Sequence, residues 1–185
     1  MKKRCAWAKD DLSIIYHDEE WGCPQHNDEK LFEFLILEGA QAGLSWQTIL
    51  KRRNGYKKVF SDFNVIKVSK YSQKHIQKIL KDESIIRNEL KIKSAVNNAK
   101  QFLQIQSEFG SFNNYLWNFV NHKQIQNKFK KPSEIPAYTE ISKKLSKDLK
   151  KRRFSFVGPT ICYALMQAIG MVNDHTIDCF RYGKL

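Results

Sequence analysis

Phe154-Ser-Phe-Val-Gly-Pro-Thr-Ile-Cys-Tyr-Ala-Leu-Met-Gln-Ala-Ile-Gly170, running on through Met171-Val-Asn-Asp-His-Thr-Ile-Asp-Cys179, carries a glycine turn, an apolar helix and two metal-capable side chains in succession. The segment before it, Ser142 to Arg153, has the period of an amphipathic helix with a basic face. Phe154 to Pro159 reads as a tight connection and Thr160 to Ile169 as a second helix, which Gly170 ends. Helix, hairpin, helix is the expectation. The free amides at the start of the second helix, around Gly158 and Thr160, form a place for a phosphate, reinforced by Lys147, Lys150, Lys151 and Arg152. An ordinary helical hairpin with a solvated basic face would look the same, so the rest of the chain has to decide.

The chain has 185 residues, 42% of them hydrophobic, enough to bury a real core. Its 32 Lys+Arg against 19 Asp+Glu give a net charge of +13, which suits a polyanion, nucleic acid first and an anionic membrane surface second. No long uncharged apolar run or signal peptide is present: Leu31 to Leu44 is interrupted by Glu33 and Glu38. A soluble intracellular protein without a membrane partner is expected. Four cysteines in such a setting point to reduced thiols or a metal more than to a disulfide scaffold.

Taken in order, a helix is expected from about Asp11, carrying Tyr16, His17 and Trp21 and ended by Gly22. Asn27 caps the next helix, whose apolar positions Leu31, Phe34, Leu35 and Leu37 cover a broad face with Glu38 near its end. A carboxylate beside that face must reach solvent, find a donor or wait for a ligand. Ser45 caps a further helix with Trp46 in its first turn, closed by Asn54-Gly55. Ser72 to Leu80 and Asn88 to Phe109 are helical, Gly110 stops the second, and Ser111 caps the next. Asn121 to Tyr138, with Pro132 and Pro136, is the longest loop and the expected flexible surface segment. No stretch alternates in the manner of a strand, so the fold class is all-α.

His175 and Cys179 are four apart, the spacing that puts two ligands on one helical face. Cys5 and His17 can supply another pair, closing a Cys2His2 shell that zinc accepts and that has no open position for a substrate. Unrelated buried cysteines and surface histidines fit the spacing as well, since the pairs are far apart in sequence. Cys23 and Cys162 fit no ligand pattern. Trp7, Tyr16, Trp21, Glu38 and Trp46 concentrate large rings and one carboxylate in the first quarter of the chain. Such a group can hold a flat, electron-poor base, made cationic by alkylation, between rings with the carboxylate accepting from its exocyclic amine. Core packing explains any single tryptophan equally well.

The stretches Cys5-Ala-Trp, Tyr16-His-Asp-Glu-Glu-Trp-Gly22, Leu37-Glu-Gly-Ala-Gln-Ala-Gly-Leu-Ser-Trp46, Phe119-Val-Asn-His122, Phe156-Val-Gly-Pro-Thr-Ile-Cys162 and Val172-Asn-Asp-His175, in that order, resemble the DNA-3-methyladenine glycosylase I family of the helix-hairpin-helix glycosylase superfamily. The resemblance spans nearly the whole chain. It implies a single glycosylase unit over 1–185, with approximate lobes 1–55 plus 171–185 and 56–170, the hairpin at 142–170. It implies a structural zinc on Cys5, His17, His175 and Cys179 that joins the chain ends. Glu38, Tyr16 and Trp46 match the family's base pocket, with Trp7 and Trp21 alongside, and Glu38 is expected to be the catalytic reader. The implied activity is monofunctional hydrolysis of the N-glycosidic bond of 3-methyladenine in double-stranded DNA containing alkylated adenine, releasing free 3-methyladenine. A monomer in the bacterial cytosol is expected. Two departures stand out: Phe156 replaces the glycine usual in the superfamily hairpin, and Asn173, beside Asp174, occupies the place of the superfamily's catalytic aspartate. A helix-hairpin-helix module that binds distorted DNA without catalysis is the alternative.

Overall fold

The computed structural model describes residues 2–185 and is organised around one helix buried on every side. After α1 (Asp11–Glu19), α2 (Asp28–Gln41) is buried without a break from Leu31 to Ala40. A helix apolar all round can sit only in the middle of others. α3 (Trp46–Val59) lies along it, as do α6 (Glu89–Phe109), α7 (Phe112–Trp117) and α9 (Pro159–Ala168), while the short α4 (Val65–Ser69) and α5 (Gln73–Ile79) pack on α6. α8 (Glu140–Lys151) pairs with α9. Among the described residues, no helix is long and apolar enough to cross a membrane.

The caps follow the sequence closely. Asn27, Ser45, Ser72, Asn88 and Ser111 each accept a backbone N–H at the start of a helix, and Gly110 takes the left-handed conformation that ends α6. Four expectations change. α1 ends at Glu19, so Trp21 and Gly22 lie in the turn after it. α3 does not close at Asn54-Gly55 but continues to Val59; Gly55 is helical, and a Cβ there would collide with the Ser84 carbonyl, so the glycine serves close packing instead of a stop. The loop after Asn121 is tied down along its first part. Ile125–Gln126 (β1) pairs in parallel with Val172–Asn173 (β2), and the Gln124 amide donates to the Gly22 and Gly170 carbonyls at 2.7 and 2.8 Å. His175 to Cys179 is irregular chain after β2, not helix.

The α8–α9 connection is fastened from two sides. The Asn98 side chain on α6 donates to the Ser155 carbonyl and accepts from the Ser155 amide, both at 2.9 Å, and Asn97 donates to the Arg153 carbonyl at 2.7 Å. Ser146 on α8 donates to the Val157 carbonyl at 2.6 Å. Phe156, expected to stand in a glycine's place, adopts the left-handed φ of 55° that glycine would take freely. Its side chain lies over Gly39 of α2, where a built Cβ would come within 3.5 Å of the Phe156 Cβ. The hairpin therefore docks beside Glu38. Asn98→Ala strands two backbone groups at once and should lower unfolding stability by about 2–3 kcal/mol in urea denaturation. A loss under about 0.5 kcal/mol would show that the loop holds itself.

Candidate base-binding site

α1, α2, α3 and α9 wall a cavity of about 270 Å³ lined by Trp7, Tyr16, Trp21, Glu38, Gln41, Trp46, Ile135, Ala164 and Gln167. All five expected pocket residues are there. Tyr16 lies between two tryptophans, its ring centroid 5.2 Å from Trp46 and 6.1 Å from Trp7, and Trp7 meets Trp21 edge-on at 5.0 Å. Gln41, Ile135, Ala164 and Gln167 were not anticipated. The two glutamines follow from helical spacing once the neighbouring residues are known to line the cavity: Gln41 is three on from Glu38, and Gln167 three on from Ala164.

Glu38 is 4% exposed, and its Oε2 is buried without a hydrogen-bond partner among the described residues. Burial alone pushes its carboxyl up to about 8, so it carries a proton at neutral pH rather than the standing negative charge that the sequence suggested. Glu33, one and a half turns earlier on the same helix, is as deeply buried and goes the other way. Burial raises it too, but Lys30 at 2.8 Å and Arg53 at 2.7 Å outweigh that and hold it below its ordinary value. Burial and the nearby Glu38 likewise raise the Tyr16 phenol, which stays a neutral donor. The indole Nε1 of Trp46 is also buried and unbonded. Two unpartnered polar atoms around an aromatic cavity are what a ligand would satisfy.

A second hollow of about 400 Å³, lined by Ala42, Gly43, Leu44, Thr160 and Ile161, shares Glu38, Gln41 and Ala164 with the first. The groove thus runs from the buried carboxyl to the N-terminus of α9. There Gly158 is the cap residue, with an ordinary φ of −63° and nothing within 4 Å of a built Cβ, so nothing in the chain's own packing requires a glycine. Lys91 holds the rim by donating to the Ala40 and Ala42 carbonyls at 2.8 and 2.6 Å, a cation at the C-terminus of α2. Of the basic residues expected near a phosphate, Lys147, Lys150 and Lys151 are exposed. Arg152 is not free: it donates to Glu108 at 2.6 and 3.0 Å and to Asp148 at 2.8 Å, clamping α8 to α6.

The ligand atoms of Cys5, His17 and Cys179 lie within 4.8 Å of one another, all three residues buried. His175, the fourth expected ligand, lies outside that group of three: it packs edge-on against His17 at 4.8 Å between centroids, and its Nε2 is buried with no partner among the described residues. Each ring is oriented from its other nitrogen, His17 by Asp18 and His175 by Asn173, both at 2.8 Å. Burial lowers both histidines, His175 to about 3, so each imidazole is neutral and can act as a ligand. Cys23 and Cys162 stand apart, Cys162 in the core and Cys23 beside Arg181. Asn173 and Asp174 do not line the cavity; Asn173 is spent on His175 and Gln126.

The fold and the cavity define a helical protein with aromatic walls around a buried, unpartnered carboxyl and a groove leading to a helix N-terminus. A family model described as methyladenine glycosylase matches residues 6–182. DNA-3-methyladenine glycosylase 1 of Escherichia coli (strain K12) is 45% identical over 181 residues, covering 97% of each chain. DNA-3-methyladenine glycosylase of Haemophilus influenzae is 44% identical over 180 residues, again 97% of each. A solved structure of 3-methyladenine DNA glycosylase I from Staphylococcus aureus, concerned with 3-methyladenine recognition, superposes with a TM-score of 0.95 at 34% identity, covering 98% of this chain and 97% of that one. The chain belongs to the methyladenine glycosylase family.

The Glu38 shift has a testable sign. A carboxyl raised from 4.5 to about 8 in the folded state stabilises the fold only below its unfolded value, and that contribution is lost as pH rises towards 8. Glu38→Gln should therefore gain stability relative to the native chain between pH 5 and pH 8, by about 1 kcal/mol per pH unit. Paired melting curves across that range check it; a constant difference would mean that Glu38 is ionised in the folded protein.

Proposed function

We infer that the aromatic cavity is the base pocket and that Glu38 is its polar reader. The protein is a DNA glycosylase that hydrolyses the N-glycosidic bond of 3-methyladenine in DNA, a base-excision repair activity. The observation that supports the pocket assignment is the unpartnered carboxyl of Glu38 among Trp7, Tyr16 and Trp46. A base alkylated at N3 is cationic while attached to the sugar, and it would supply the countercharge that the free pocket lacks. The entering cation draws Glu38 to its ionised form, and the carboxylate accepts from the exocyclic amine. Tyr16 and Trp46 stack on the ring, with Trp7 and Trp21 behind them.

To reach this site from a duplex, the nucleotide has to be turned out of the stack, and the groove towards α9 suits that path. The amides around Gly158 and Thr160 would take a backbone phosphate through a helix-hairpin-helix contact, with Lys147, Lys150 and Lys151 adding charge. As the C1′–N9 bond breaks, its electron pair passes to N9 and cancels the charge of the ring. Water adds at C1′, its proton goes to solvent, and a neutral base and an abasic site remain. The leaving group is good already, so holding and selecting it is the larger part of the protein's task. Among the described residues no lysine lines the cavity, in keeping with a monofunctional reaction. Double-stranded alkylated DNA is the partner, met by a monomer in the bacterial cytosol.

Cys5, His17, His175 and Cys179 would hold a zinc ion. The orphaned Nε2 of His175 and the two oriented, neutral imidazoles fit that group. With four protein ligands it would supply no chemistry and would tie residues near the start of the chain to residues near its end.

Incubation with methylated duplex DNA should release free 3-methyladenine, identified by chromatography and mass. Glu38→Gln should stay folded and lose about ten-fold in affinity for duplex DNA carrying the cationic alkylated base, the difference between a charged and a neutral acceptor. Binding of methylated DNA without base release would identify a recognition module instead. Metal analysis should find one zinc per chain, and Cys179→Ala should lower the melting point while the folded fraction keeps its turnover. A chelated protein that melts where the native one does would remove the ligand set.

A further inference from the structure

Two glutamines line the base cavity, Gln41 on α2 and Gln167 on α9, and they differ in how they are held. Gln167 Nε2 donates to Asp174 Oδ2 at 2.8 Å. Asp174 is 1% exposed; the same oxygen accepts from the Tyr163 hydroxyl at 2.7 Å, and its Oδ1 accepts from Asn127 Nδ2 at 2.6 Å. A carboxylate surrounded by donors determines which end of an amide can face it. The NH2 must, because the amide oxygen would oppose another acceptor. Gln167 Oε1 is thereby turned away from Asp174. It accepts from no described residue and is not buried, on a side chain that lines the cavity. Gln41 has no such anchor among the described residues, and its amide can present either end.

We propose that Gln167 determines which purine the enzyme excises and that Asp174 is its positioning residue. The held amide presents a fixed acceptor to the exocyclic group at position 6 of the bound base, favouring an amine and disfavouring a carbonyl. The proposal rests on the reading of the cavity as the base pocket. An exocyclic amine has two hydrogens: Glu38 takes one and Gln167 Oε1 takes the other. A 6-oxo purine sets its own acceptor against that oxygen, and a site built to bond a donor discriminates strongly against a ligand without it. Asp174 acts from behind, through the direction it imposes on the amide.

The test compares excision of 3-methyladenine and 3-methylguanine from one preparation of methylated DNA. Gln167→Met keeps the length of the side chain and removes the acceptor. The expected result is a fall of about ten-fold in kcat/KM for 3-methyladenine, with 3-methylguanine release per folded molecule unchanged or faster; the lost bond to Asp174 lowers the melting point, so rates are taken per folded protein. Asp174→Asn, whose amide can turn either end to Gln167, should relax the preference in the same direction by a smaller factor. A purely structural role would lower both activities together in step with the folded fraction. Parallel loss for the two bases in a folded Gln167→Met, or a preference that survives it, would overturn this assignment alone. Native protein that released no methylated purine would remove the pocket reading and this assignment with it.

Discussion

A carboxyl group deprived of water on a helix that is buried all round is the constraint on which the rest of the structure turns. α2 has no solvent face along Leu31 to Ala40, so any acid on it must find a cation or give up its charge. Glu33 finds Lys30 and Arg53; Glu38 finds nothing and keeps its proton. The unpaired acid stands at the end of α2 that opens on the cavity, where a cationic ring can do for Glu38 what Arg53 does for Glu33. Placing the unsatisfied group there puts the cost of burial into the free protein, at a position that a ligand in the cavity can reach.

The same helix carries the hairpin. Gly39, next to Glu38, gives Phe156 its seat, so the distance from the buried carboxyl to the start of α9 is set by direct packing. Phe156 sits in a left-handed conformation unfavourable for a bulky residue, and Asn97, Asn98 and Ser146 hold the surrounding turn in place. The start of α9 and the buried carboxyl, the two ends of the groove, are thus held together by packing around α2.

The chain ends support the other wall. Trp7 meets the His17 ring edge-on at 5.3 Å, and Trp21 meets His175 at 4.6 Å, so the two histidines back the aromatic face of the cavity directly. Lys3 joins the ends through an exposed, individually weak ion pair with Asp178, while Arg4 holds Asp18, the carboxylate that orients His17. Whatever fixes the histidines also fixes two of the tryptophans.

Much of this was legible in the residues themselves. Cap residues, the glycine after α6 and the apolar period of α2 act through neighbours a few positions away, and those neighbours are written in the sequence. The five pocket residues were legible as types, since rings beside a carboxylate in a basic chain have few common uses. What only the tertiary structure decided is the state and partner of each group. Two glutamates five positions apart on α2 look alike in sequence, and an arginine twenty residues beyond Glu33 makes one an ion pair and leaves the other a neutral acid. Arg152 looked free for DNA until Glu108, far upstream, was found in its grasp. Gln167 was an ordinary polar residue until Asp174 turned its amide. Helix propensity and capping are local and survive in one dimension, whereas burial, ionisation and amide orientation depend on which distant side chains the packing brings within about 3 Å.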